Sequence, residues 1–253
     1  MKRFLALILC LTFLCPLVAA EEAKATLNES ELLSFYDGAL FFGDSVTSEF
    51  ARYRSQRRQE EPEFLKGTTL IYTCSISLYA ASRRVLSGEL HFKYKGKEMT
   101  MYQIADRVQP KKIFILLGLN DPVGIKIERA MGWIGDIVKG MQEFAPEAEL
   151  YFFSHTPVTP NYETTKKRPG YQQKLDTYNQ RLQETCEALD AHFVDIATPM
   201  KDEDGYLRAE YSGDHICHLN TEGVLVWVRA LCDYAQRQYE AGLWAPESGG
   251  ENE

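Results

Sequence analysis

The 253-residue sequence has no basic surplus: 28 Lys and Arg stand against 36 Asp and Glu, a formal charge of −8. Nucleic acid is thereby a poor partner, because affinity for a phosphate backbone is built on excess Lys and Arg. Cysteine is scarce, at six residues. Four lie beyond residue 20, at Cys74, Cys186, Cys217 and Cys232, and no two have the short spacing of a structural zinc site. A Pro/Ser-rich linker and an internal repeat are both missing between Ser34 and Gln238, which argues for one domain. Long apolar runs are missing too, except at the start of the chain. What is present is an apolar share of 45%, enough for one sizeable core and too much for a disordered or fibrous chain.

That first run has the layout of an export signal. Lys2 and Arg3 are its positive start, Phe4 to Cys15 its apolar centre, and Pro16 its break. Val18-Ala19-Ala20 then offers the small residues a signal peptidase requires. Cleavage is expected after Ala20, leaving an acidic mature chain of net charge −10, secreted or extracytoplasmic, with no stable membrane insertion. An uncleaved anchor is the rival, but the run is short of the ~20 residues a spanning helix prefers. Neither Cys10 nor Cys15 follows the Leu-small-small pattern of a lipoprotein site. Export also makes disulfides feasible, and four cysteines leave three connectivities open.

Five short runs rich in Ile, Phe, Tyr, Leu and Val, at Ala39–Phe42, Thr69–Thr73, Lys112–Leu117, Glu149–Phe153 and Ala191–Ile196, are apolar on both faces, as strands covered from two sides must be. Helical stripes lie between or after them at Ile127–Phe144, Tyr171–Leu189 and Thr221–Tyr239. Strand and helix in alternation predict an α/β, three-layer α/β/α sandwich around a five-stranded parallel sheet. The expected organisation is a signal peptide over 1–20, a polar lead-in over 21–34, one main domain over 35–242 and a flexible acidic tail over 243–253.

In such sheets ligands sit beyond the carboxyl ends of the strands, so the residues following each run carry the information. Gly43-Asp44-Ser45 follows the first run. Ser45 there is either a hydroxyl aimed into the crevice or simply the cap of a helix beginning near Thr47. It is not the Gly-x-Ser-x-Gly elbow, since Thr47 stands where the second glycine belongs. Gly118-Leu119-Asn120-Asp121 follows the third run. It is either an ordinary turn or the site of an amide N–H directed at a developing oxyanion. Ser212 to Asn220 concentrates Asp214, His215, Cys217 and His218 before the last helix. A base with its orienting acid explains that concentration better than a metal site, because four ligands packed into five residues cannot all face one ion.

Taken together and in this order, the three segments resemble the SGNH hydrolases, also called the GDSL esterase/lipase family, over about Phe35 to Tyr239. The resemblance implies a flavodoxin-like SGNH-hydrolase fold, with Ser45 as nucleophile, His218 as base and Asn120 as an oxyanion donor. No cofactor or metal is implied. Two departures stand out. The acid of the family precedes the histidine by three positions, whereas Asp214 precedes His218 by four, so the loop must bulge if they are to pair; Asp195 is the substitute. The glycine of the second block, whose backbone N–H donates to the oxyanion together with that of Ser45, is replaced by Cys74-Ser75-Ile76-Ser77, where Ser75 or Ser77 is the candidate. His155, after the fourth run, is placed on the same rim, either contacting substrate or satisfied by neighbouring backbone. The expected activity is hydrolysis of small acyl esters, acetyl among them, on a small molecule or glycan. An acyltransferase using the same serine and a silent glycan-binding domain are the alternatives. Oligomeric state stays open.

Overall fold

The computed structural model describes residues 26–121 and 125–247. The expected signal peptide and the last six residues of the expected tail lie outside them. Elements follow as α1 (Glu29–Leu33), β1 (Leu40–Gly43), α2 (Ser45–Arg57), β2 (Thr69–Tyr72), α3 (Leu78–Ala81), β3 (Phe92–Tyr94), β4 (Lys97–Met99), α4 (Met101–Val108), β5 (Lys112–Leu116), α5 (Ile127–Phe144), β6 (Glu149–Phe153), α6 (Pro160–Thr165), α7 (Tyr171–Ala188), β7 (His192–Val194) and α8 (Thr221–Glu240). Short 3-10 turns occupy Ser34–Tyr36, Thr198–Met200 and Ala209–Tyr211. No described helix is long and apolar enough to cross a membrane.

Five strands pair in parallel in the order β2-β1-β5-β6-β7, while β3 and β4 form a separate antiparallel hairpin. The strand order reverses between β1 and β5, and at such a switch point the connecting helices leave on opposite faces and open a crevice at the strand ends. Alternation along each strand feeds two cores. Leu40 and Phe42, Ile113 and Ile115, and Leu150 and Phe152 face α4, α5 and α7. Phe41, Phe114, Tyr151 and Phe153 face α2 and α8. The second face carries a row of stacked rings across the registered strands: Phe41 on Phe114 at 4.8 Å, Phe114 on Tyr151 at 4.5 Å, and Tyr151 on His192 at 4.4 Å. Each such pair adds about 0.5–1.5 kcal/mol beyond the area it buries.

Two boundaries differ from expectation. The polar lead-in is folded from Glu29, where Asn28 and Glu31 form a capping box and Leu32 and Leu33 are buried against the α8 side of the core. Beyond α8, Trp244 packs edge-on against Phe35 at 5.2 Å, so the folded unit continues past the expected start of the tail. All four described cysteines are free thiols.

The α4–α5 contact depends on Gly140, where an added Cβ would lie 2.1 Å from Cε1 of Tyr102. Tyr102 is fully buried and its hydroxyl donates to the Ser82 carbonyl at 3.0 Å, so the ring has nowhere to move. Overpacking of this kind costs about 1–3 kcal/mol, which outweighs the gain of about 1 kcal/mol from replacing a mid-helix glycine by alanine. Gly140→Ala is therefore expected to lower the urea midpoint without changing the slope. A higher midpoint would contradict this packing.

Candidate active site

Three segments converge at the carboxyl end of the sheet. β1 ends at Gly43, and Asp44, in extended conformation, caps α2 by accepting the Val46 N–H at 2.9 Å. The helix thus begins at Ser45 rather than near Thr47, and the cap is Asp44, not Ser45. Ser45 is left in the first turn, where N–H groups have no intrahelical partner. Its Oγ donates to Nε2 of His218 at 3.0 Å. On the far side of the ring, Nδ1 lies 2.6 Å from Oδ2 of Asp214.

The loop does bulge, and the extra residue is His215, at φ 59° in the left-handed region. That turn folds the chain around Asp214, whose Oδ1 accepts the N–H groups of Ile216, Cys217 and His218 at 2.8, 2.9 and 3.1 Å. Partial burial works against the Asp214 charge, but the bond from His218 and the three backbone donors outweigh it and hold the carboxyl down at about 2. His215 itself is exposed, and its carbonyl accepts from Thr159 Oγ1 at 2.6 Å.

Donor atoms of Asp214, Cys217 and His218 lie within 4.8 Å of one another, without His215. Burial, followed by the nearby carboxylates Asp214 and Asp44, pushes the Cys217 thiol up to about 12, which suits a neutral thiol rather than a thiolate ligand. The substitute acid, Asp195, is engaged elsewhere. Its Oδ1 takes Ser154 Oγ at 2.9 Å and the N–H groups of Ala197 and Thr198 at 3.0 and 3.1 Å. Burial there is outweighed by the donors of Thr198, Ser154 and Ala197, and its pKa lies below the usual value.

Asn120 reaches the same place from the loop after β5. Gly118 makes the turn at φ 138°, where a Cβ would also strike the Tyr178 ring at 2.8 Å. Nδ2 of Asn120 donates to Asp44 Oδ2 at 3.0 Å and to the Ile76 carbonyl at 3.3 Å. The next residue, Asp121, accepts the N–H groups of Leu78 and Tyr79 at 3.0 and 3.2 Å and so ties this loop to α3. Its tie to α3 is a role that sequence reasoning missed. Between β2 and α3, Ser75 occupies the left-handed region at φ 63°, the conformation glycine favours, and stands where the second-block glycine is expected. Ser77 instead caps α3, accepting the Ala80 N–H. Among the described residues no hydrogen bond engages the N–H of Ser45 or of Ser75.

His155 does not lie on the rim. It is fully buried, so direct contact with substrate is excluded in this conformation. The polar Ser-His-Thr run after β6 looks solvent-facing in the sequence, yet all three residues are buried, with Asn179 of α7 and Asp44 after β1 against His155.

A family model of GDSL-like lipases and acylhydrolases matches residues 41–225, spanning all of these segments. The chain belongs to the GDSL-like lipase/acylhydrolase family. Solved structures agree on the fold. A GDSL-like lipase from Bacteroides thetaiotaomicron superposes with a TM-score of 0.58 at 15% identity, covering 79% of this chain and 87% of that one. A variant of an acetyl-xylooligosaccharide esterase from Geobacillus Stearmophilus gives 0.52 at 15%, covering 83% and 96%. The periplasmic domain of a lipopolysaccharide acetyltransferase from Salmonella ser. Paratyphi A gives 0.55 at 13%, covering 78% and 83%. No curated protein matches the chain. The family is one of lipases and acylhydrolases, which points to small-molecule ester substrates.

Proposed function

We propose that this GDSL-family hydrolase is an exported serine esterase that removes small acyl groups, acetyl above all, from a glycan. The observation that carries the reading is the unbroken line Ser45 Oγ, His218, Asp214, at 3.0 and 2.6 Å. His218 takes the Ser45 proton as Oγ attacks the ester carbonyl, and Asp214 holds the tautomer and stabilises the imidazolium. Oxyanion charge falls on the unpaired N–H groups of Ser45 and Ser75 and on Asn120. One N–H of Asn120 is held by Asp44. The other rests on Ile76 at the long end of hydrogen-bond range, and it is this one that the oxyanion recruits. Returning its proton to the departing alkoxide, His218 leaves an acyl-enzyme that water then hydrolyses.

Export is supported by the charged start, apolar centre and small residues of 1–20, and the glycan by the site's surroundings. An open groove of about 530 Å³ at Ser45 is lined by Ser48, Glu49, Arg52 and Gln56 of α2, whose polar groups suit the hydroxyls of a sugar, together with Tyr53, Leu219 and Val224. Short-chain p-nitrophenyl esters should be hydrolysed faster than long-chain ones, and a fluorophosphonate should add its mass to the peptide carrying Ser45. Label on another residue, or none, would sink the reading. The acetyltransferase among the fold neighbours makes transfer the second outcome: an added sugar would then divert the acyl group from water. Asn120→Ala is expected to lower kcat by about 10²- to 10³-fold in a protein that still folds, with an unfolding midpoint somewhat below wild type because the buried Asp44 carboxylate loses one donor.

A further inference from the structure

Beneath the reactive serine lies a buried polar chain that the triad does not use. His155, after β6, and Asp44, after β1, are both 0% exposed. Nδ1 of His155 lies 3.2 Å from the Thr156 carbonyl, which can only accept, so that nitrogen carries a proton. Nε2 has no hydrogen-bond partner among the described residues, and it faces Asp44 Oδ2 at 3.8 Å. That oxygen is the one already holding Asn120. The histidine cannot drift, because Asn179 of α7 clamps its backbone from both sides, accepting its N–H at 2.7 Å and donating to its carbonyl at 2.9 Å.

The Asp44 carboxylate, buried with the Val46 N–H on Oδ1 and the Asn120 amide on Oδ2, retains room on Oδ2 for a further donor, and the unpartnered Nε2 of His155 stands where an N–H would be donated to it. Asp44 also carries its charge directly behind the amide that must receive a negative oxygen. Asp121, on the same loop as Asn120, is a second carboxylate nearby, but it is already held by the N–H groups of Leu78 and Tyr79. We propose that His155 is a positioning residue for the oxyanion donor: it fixes the Asp44 carboxylate, and Asp44 in turn aims the Asn120 amide. The inference rests on the role given to Asn120 under the proposed function. Separations of this kind shorten when a reacting group fills the site.

The test is a double-mutant cycle on p-nitrophenyl acetate hydrolysis. His155→Phe keeps a flat ring but removes the nitrogen, and it should lower kcat by about tenfold, within the range for residues in contact, with KM changed by less than about twofold. His155→Gln, whose amide N–H can reach Oδ2, should recover most of that loss. In an Asn120→Ala background the His155→Phe change should cost less than about twofold, since the group being aimed is gone. A tenfold loss in both backgrounds, or a glutamine no better than phenylalanine, overturns the positioning role. If His155→Phe does not fold by thermal melting, His155→Asn, too short to reach Asp44, takes its place in the cycle with the same two criteria. Full activity of Asn120→Ala alone would instead remove Asn120 from the chemistry, and this inference with it. That outcome is separate from an additive cycle built on a crippled Asn120→Ala.

Discussion

Ser45→Ala is expected to lose about 10⁶-fold in kcat on p-nitrophenyl acetate, the scale seen when the nucleophile of a Ser-His-acid triad is removed. Few structural consequences should accompany it. The cap of α2 is Asp44, which keeps its bond to the Val46 N–H, and alanine is a good residue in a first helical turn. The neighbouring hydroxyl of Ser48 is no substitute, because it donates to the Ser45 carbonyl at 2.6 Å rather than to His218. Activity should therefore vanish from a protein whose circular dichroism and unfolding midpoint match wild type. Turnover equal to wild type would place the chemistry elsewhere in the crevice.

Asp214→Asn comes next, at about 10⁴-fold in kcat. The carboxylate has two jobs on two oxygens: Oδ1 accepts three backbone N–H groups and Oδ2 accepts Nδ1–H of His218. An amide has only one oxygen. If that oxygen stays with the backbone, its NH₂ meets His218 and drives the ring proton to Nε2, where it can no longer take the proton of Ser45. If the amide flips, three backbone donors face an NH₂, and the loop loses its hub. The first arrangement gives a folded, inactive protein; the second also lowers the unfolding midpoint. An Asp214→Asn protein with more than about a tenth of wild-type kcat would refute the assignment.

The Asp214 pKa also sets a pH dependence. Its folded value, about 2, lies below the ordinary 3.8, so the unfolded chain binds the proton first as pH falls. The stabilisation from these bonds is complete above about pH 4 and is lost as pH drops toward 2. Activity lost on acidification well above that window does not report protonation of Asp214.

The strands and the long helices were legible because burial on both faces leaves little freedom in composition. Glu149–Phe153 and Ile127–Phe144 match expectation at both ends, and the other three-layer elements differ by a residue or two, with the last strand shorter at His192–Val194. The β3–β4 hairpin was harder, since it is largely solvated and offers no apolar run. Its signal was the Lys95-Gly96 turn, where both residues take positive φ. Helix α4 had a signal as well, the capping box of Thr100 and Gln103 ahead of Met101. Within the site, Ser45, Asn120, Asp214 and His218 could be read from motif order, and their convergence follows from the strand order. The burial of His155 could not, because a short polar run after a strand looks alike whether solvent or another helix covers it. Nor could the sequence say that Ser75, and not Ser77, takes the left-handed turn that glycine favours.

Leu27 donates to Gln236 near the end of α8, and Phe35 meets Trp244, so both ends of the described chain gather under the amino-terminal edge of the sheet. The serine opens at the other edge, roughly the length of a strand away, about 15 Å. A tether, a bead or a fused module attached at residue 26 or at residue 247 would consequently hang from the floor of the molecule and leave the doorway clear. Immobilisation from either side should spare turnover.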